Sequence, residues 1–172
     1  MQSTVLTTPE PAATKTDPRA GKYLTFGLGS EEFGIQVMRV REIMGVQEVT
    51  AVPHIPAYVK GVINLRGKVI PVVDLRQKFG MPEQAYTQRT CIVVVELEQD
   101  GARLLTGLIV DEVSEVLSLQ GAEIEDAPDF GRGVATPYLL GMAKTKGKVK
   151  ILLDINRVMT TQEVHGLSGV LS

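Results

Sequence analysis

The stretch Gly61-Val62-Ile63-Asn64-Leu65-Arg66-Gly67-Lys68-Val69-Ile70-Pro71-Val72-Val73-Asp74 decides the fold. β-branched residues dominate both sides of Arg66-Gly67, so the segment reads as two strands, 61–65 and 68–73, joined by a tight turn. Asp74 fits the N-cap of a short helix over 75–79, which Gly80 and Pro82 stop. The same events return 80 residues later without a gap. Gly61 falls on Gly141, Gly67-Lys68-Val69 on Gly147-Lys148-Val149, and Val72-Val73-Asp74-Leu75 on Leu152-Leu153-Asp154-Ile155. A second block matches at an offset of 73: Gly34, Ile35, Val37, Val40, Glu42 and Ile43 fall on Gly107, Leu108, Val110, Val113, Glu115 and Val116. The repeated order of hairpin, hairpin and Asp-capped helix reads as an internal duplication.

Working outward, residues 23–28 place Leu24, Phe26 and Leu28 on one face, and Phe33, Ile35 and Val37 resume the alternation after a turn at 29–32. This is a first hairpin. Residues 40–52 read as extended. Cys91 to Leu97 is a continuous apolar run of strand length, and Gln99-Asp100-Gly101 turns it back into 102–110. The last hairpin joins 138–144 to 148–153 at Lys146-Gly147, and the acidic 123–133 reads as loop. Residues 1–21 carry Pro9, Pro11 and Pro18 without apolar periodicity and read as a disordered tail; 161–172 read as a second tail. The expected organisation is thus one domain over 22–160, in barrel halves of roughly 22–85 and 86–160. Halves of about 65 residues are too small for a generous core of their own, so they are expected to bury apolar surface against each other and leave a groove between them.

Composition narrows the function. The 172 residues are 44% hydrophobic and 22% charged with a net charge of −2, an ordinary globular balance with no basic field for nucleic acid. With 22 Val and 10 Ile against 4 Phe, 4 Tyr and no Trp, the chain is β-rich. One cysteine excludes an internal disulfide framework and any multi-cysteine metal centre. No apolar run is long enough to span a bilayer and no signal peptide precedes Pro9, so the expected compartment is the cytoplasm.

Catalytic candidates are few. Cys91 opens an apolar strand, where a thiol is a small hydrophobe of low reactivity. His54 sits in a turn between Pro53 and Ile55, and His165 in the C-terminal tail. Gly27-Leu28-Gly29-Ser30 lacks the Lys and third Gly of phosphate-binding loops. Glu123, Glu125, Asp126 and Asp129 do not have calcium-loop spacing. Lys144, Lys146, Lys148 and Lys150 alternate along one hairpin, but no aromatic platforms accompany them. Arg66, at a hairpin tip flanked by apolar strands, is either an ordinary turn residue or a polar anchor beside an apolar groove, since arginine can pair with a carboxylate while its stem stays in apolar contact. Glu42 is either its acidic match or a solvent-facing glutamate; spacing alone does not choose.

Phe33-Gly34-Ile35, Val40-Arg41-Glu42-Ile43, Pro56 through Gly67 and Ile70-Pro71-Val72-Val73-Asp74-Leu75-Arg76, with Gly107 through Leu117, resemble the chemotaxis coupling-protein family, the CheW-like domains, over about residues 22–160. The resemblance implies a mostly β fold of two SH3-like five-stranded β-barrels packed together, with short helices. It implies a non-enzymatic adaptor, without cofactor or metal, between the cytoplasmic tips of methyl-accepting chemoreceptors and the regulatory domain of the chemotaxis histidine kinase. The adaptor would be cytoplasmic and recruited to receptor arrays, with no membrane insertion and no nucleic acid. The receptor tip, a helical hairpin, is expected to use Val40, Glu42, Asn64, Leu65, Arg66 and Gly67, with Gly107, Val110 and Val116 from the second half. The kinase is expected at Gly61 and Phe130. Many relatives carry a basic residue where this chain has Glu125, so the family's charge pairing at that ring contact carries over only if the partner has the opposite change. The alternatives are a coupling protein of a pathway that does not drive flagella, a nucleic-acid-binding double barrel using the lysine hairpin, and an enzyme using His54 or Cys91.

Overall fold

A computed structural model describes residues 17–99, 101–126, 138–160, 163, 164 and 166. Its strands are β1 (Gly21–Leu28), β2 (Glu31–Gln36), β3 (Val40–Gly45), β4 (Val59–Leu65), β5 (Lys68–Asp74), β6 (Cys91–Gln99), β7 (Ala102–Val110), β8 (Glu112–Leu119), β9 (Ile124–Glu125), β10 (Leu139–Thr145) and β11 (Lys148–Leu153). Two one-turn helices, α1 (Leu75–Lys78) and α2 (Ile155–Val158), follow β5 and β11. Asp74 caps the first by accepting from the Arg76 and Gln77 N–H groups, and Asp154 caps the second by accepting from that of Asn156, as the repeated Asp predicts.

The strands form two sheets, ordered β3-β6-β7-β5-β4 and β8-β1-β2-β11-β10-β9. These do not coincide with the expected halves 22–85 and 86–160. The first barrel takes β3, β4 and β5 from the first repeat but β6 and β7 from the second; the other barrel takes β1 and β2 from the first repeat. Each repeat has therefore given its leading hairpin to the other. The crossings are short: the 3-10 turn Val37–Arg39 leads from β2 to β3, and Asp111 alone separates β7 from β8.

Each exchanged hairpin meets its host through one parallel pair. Gly107 lies opposite Val72 and Gly34 opposite Leu152, which are equivalent pairs under the two sequence offsets. Closure is also repeated. Beyond β3 the chain folds over so that Thr50 and Val62 exchange two backbone hydrogen bonds of 2.9 Å. Beyond β8 it does the same, and β9 pairs Glu125 with Met142. This two-residue strand makes the second sheet six-stranded rather than five, and it replaces the start of the expected 123–133 loop; residues 127–133 lie outside the described ones. β8 has no counterpart among the strands expected from sequence. Its burial alternates along the strand, but only Leu119 is fully buried, so it carries no strong apolar signature.

Three cores follow. Ile63, Ile70, Val72, Ile92, Val94 and Ile109 fill the first barrel; Tyr23, Leu119, Ile124, Ala143 and Leu152 fill the second. The third and largest lies between them and draws on both, with Leu24, Phe26 and Ile35 against Val93, Val95 and Leu108. β6 is thus buried on both faces, which is why it reads as an unbroken apolar run rather than an alternation. Both termini are also more ordered than expected. Arg19 chelates Asp17, reaches Asp126 and donates to the Leu140 carbonyl, so the chain is fixed from Asp17, before β1 begins. Val164 is buried in the shared core, and Thr160 and Glu163 form a reciprocal capping box.

Candidate functional site

β4 and β5 are joined by Arg66-Gly67, both with positive φ (52° and 87°). Two central residues in that region define the mirror-image two-residue turn that matches strand twist. Its first position normally favours Asn, Asp or Gly, because an L side chain is strained there. Arginine occupies it instead, and the Asn64 Oδ1 stabilises the turn by accepting from the Gly67 N–H at 2.8 Å. The Arg66 side chain is 75% exposed, and its Nη1 donates to the Glu42 Oε1 at 2.6 Å. Spacing alone leaves Glu42 undecided; the fold makes it the partner of Arg66. A bulge in β3 at Arg41, which lies unpaired between Val40–Val95 and Glu42–Val94, sets the local aim of Glu42.

The other expected positions divide. Val40 packs at the margin of the shared core and Leu65 against the first-barrel core, both half-buried. Val116 is 54% exposed on β8, opposite the buried Leu24. Gly107 and Val110 are not surface positions. Val110 is 1% exposed in the shared core, and a Cβ on Gly107 would stand 2.8 Å from the Ile92 Cγ2 inside the first barrel. Gly61 is buried too, with φ 144°; a Cβ there would stand 2.1 Å from the Thr50 carbonyl oxygen, so its lack of a side chain serves barrel closure. Phe130 lies outside the described residues. Glu125 is exposed on β9.

The rival readings meet specific obstacles. Lys150 is 3% exposed and pairs with Glu32, so one of the four lysines in the basic hairpin is buried and engaged. Cys91 is half-buried rather than fully buried, its Sγ donating to the Arg89 carbonyl at 3.2 Å. His54 occupies a left-handed turn position with φ 62°. Sequence reasoning missed Ile43 on β3 and Val69 on β5 as exposed apolar residues. The signal was present: under the offsets of 73 and 80 they correspond to Val116 and Val149, which are also exposed.

A family model described as "CheW-like domain" matches residues 22–163. The chain is 38% identical over 149 residues to the chemotaxis protein CheW of Klebsiella aerogenes, covering 87% of each chain. It is 35% identical over 142 residues to that of Rhizobium meliloti, covering 83% of this chain and 89% of the relative. The crystal structure of a CheW scaffolding protein from Thermoanaerobacter tengcongensis superposes with a TM-score of 0.73 at 32% identity, covering 84% of this chain and 95% of that one.

Proposed function

The chain belongs to the CheW-like domain family and is a chemotaxis coupling adaptor, and we propose that it receives the cytoplasmic tip of a methyl-accepting chemoreceptor at the Glu42–Arg66 turn while holding the regulatory domain of the chemotaxis histidine kinase elsewhere. The observation that carries this reading is Arg66 itself: a long basic residue in a strained turn position, three-quarters exposed, with one edge of its guanidinium fixed by Glu42. Strain retained where a simpler residue would relieve it is a functional signature. The remaining guanidinium donors suit a carboxylate on the partner, and the half-buried Val40 and Leu65 with the exposed Val116 supply apolar contact. Asn64 and Gly67 hold the turn.

In this reading Gly107 and Val110 shape the site through packing and do not touch the partner. Gly61 influences kinase binding through barrel closure, and Phe130 is the direct kinase contact. The protein catalyses nothing itself. It changes kinase output by binding one kinase conformation more tightly than another, and modest individual contacts gain from avidity in a repeating array. No helix among the described residues is long and apolar enough to cross a membrane; the protein works in the cytoplasm, recruited to the receptors.

The test is a calorimetric titration with the kinase regulatory domain and, separately, with a receptor-tip fragment. Micromolar binding to both is expected, with Arg66→Glu weakening only the receptor. Receptor binding and kinase activation unchanged by Arg66→Glu would remove Arg66 from the site. Binding to neither component would remove the partner assignment.

A further inference from the structure

We infer that Lys146, held by Glu115, is a second receptor anchor: the second barrel's counterpart of Arg66 held by Glu42, recognising an acidic side chain on the same helical partner. The inference rests on the reading of the Arg66 site and extends it to the other barrel.

Four features coincide. Lys146-Gly147 joins β10 to β11 as Arg66-Gly67 joins β4 to β5, with the same left-handed backbone (φ 54° and 77°). Only three non-glycine residues among the described ones have positive φ, and Arg66 and Lys146 are two of them. The chain has therefore kept a long basic residue, in both barrels, where the turn itself would favour Asn or Gly. Next, Lys146 Nζ donates to the Glu115 Oε1 at 3.0 Å, and Glu115 is the equivalent of Glu42 at the offset of 73. Third, β8 carries the same bulge as β3, at Ser114 in place of Arg41, so Glu115 follows the bulge as Glu42 does. Last, Val116 on β8 and Val149 on β11 are exposed as Ile43 on β3 and Val69 on β5 are. Among the described residues six large apolar side chains are exposed, and these are four of them.

The chemistry identifies the occupant. The Lys146 side chain is 70% exposed and Glu115 engages one of its three N–H donors, which leaves the ammonium able to receive a carboxylate. The exposed Val116 on β8 and Val149 on β11 favour a protein segment with an apolar stripe. Val116, a position already proposed for the receptor, lies on the same strand, β8, as Glu115. Lysine is a point charge on a flexible stem where arginine is a planar fork, so this anchor is the weaker and the more salt-sensitive. A bland surface pair makes the opposite prediction: it contributes little and loses nothing when its charges are exchanged.

The full chain is titrated with the receptor-tip fragment as wild type, Lys146→Glu, Arg66→Glu and the double variant Glu115→Lys/Lys146→Glu, with urea midpoints as the folding control. Lys146→Glu is expected to weaken binding about tenfold with an unchanged midpoint, and Arg66→Glu to weaken it more. The double variant restores an ion pair but presents the wrong charge outward, so it is expected to stay weak. Wild-type affinity in either Lys146→Glu or the double variant overturns the inference. If Arg66→Glu binds normally while Lys146→Glu is weak, Lys146 stands and the Arg66 site falls; the reverse result removes Lys146 alone.

Discussion

The two barrels share a backbone plan and differ in what ties each exchanged hairpin down. On one side Arg76, from α1, forks onto Asp111 at 2.7 and 2.6 Å, and Asp111 in turn accepts from the Gly29 N–H at 2.7 Å in the β1–β2 turn. Burial pushes the Asp111 carboxyl up, but Arg76 and the Gly29 N–H outweigh it and hold it below its ordinary value. On the other side the equivalent of Arg76 is Asn156, whose Oδ1 accepts from the Glu98 N–H at 2.8 Å near the β6–β7 turn. One fastening is a charged fork at a crossing between barrels; the other is a set of neutral hydrogen bonds, completed by the Gln99 Nε2, which donates to the Asn156 and Met159 carbonyls at 2.6 and 2.9 Å. The interiors differ similarly. The first barrel is aliphatic, whereas the second holds Tyr23, whose hydroxyl donates to the Arg19 carbonyl at 2.6 Å and so anchors the N-terminal arm. What is common to both barrels is what closure requires: glycines at 61 and 141, bulges, Asp caps and parallel pairs. Away from closure and the turn-tip ion pairs, the fastenings and the interiors have diverged.

The largest expected effect comes from cutting the chain between the repeats. Fragments 1–85 and 86–172 should each lack cooperative unfolding by circular dichroism, because each would have to build a barrel without its borrowed hairpin. Mixed or co-expressed, they should assemble into one folded complex. Two fragments that fold independently would mean that each repeat can take back its own hairpin.

Next is closure. Gly61→Ala and Gly141→Ala should each cost about 2–4 kcal/mol in urea unfolding, from strain and backbone overlap. Gly61→Ala should be worse, since its Cβ would stand 2.1 Å from a carbonyl oxygen against 2.6 Å at Gly141. Equal and small losses would show that the closing segments can give way.

The fastenings should rank in the same way. Arg76→Ala removes charge-assisted bonds and should cost about 1.5–3 kcal/mol, whereas Asn156→Ala should cost about 1 kcal/mol. Reversal of that order in thermal or urea melts would mean that the neutral fastening dominates.

The smallest effect lies at the C-terminal strap, which among the described residues has no equivalent on the second barrel's helix. Glu163 pairs with Lys78 of α1 at 2.6 Å and accepts from the Tyr58 hydroxyl, while the position equivalent to Lys78 is the buried Val158. Burial raises the Glu163 carboxyl, but Lys78, the Thr160 N–H and Tyr58 outweigh this and bring it down from 4.5 to about 2. A carboxylate depressed on folding stabilises above its unfolded value and loses that contribution as pH falls toward its folded value. Stability from this group should thus be complete above about pH 5 and fade between about 4.5 and 2. Glu163→Gln should cost about 0.5–1 kcal/mol at neutral pH and flatten that part of the acid limb. An unchanged acid limb would assign the loss to other carboxylates.

Much of this molecule is local. The turns at Arg66-Gly67 and Lys146-Gly147, the Asp caps, most strand bounds and the duplication were legible in the sequence, because neighbouring residues set backbone preference and the repeat reveals itself by spacing. The pairing of Glu42 with Arg66 was open, since 24 residues of separation fix nothing until β3 and the β4–β5 turn are brought together across the barrel. Gly107 and Val110 were expected at the groove through the resemblance alone, and the structure buries both; a strand buried on both sides gives no pattern of its own to tell its faces apart. β8 and the ordered ends at Asp17 and Val164 were missed for the converse reason: few local apolar signals, with order supplied by distant partners.

The sequence by itself determined a duplicated, barrel-forming β chain with Asp-capped helices and a basic residue at each turn tip. The tertiary structure decided which hairpin belongs to which barrel. Backbone hydrogen bonding accepts either partner equally well, and only the shared core and the two short crossings settle the exchange.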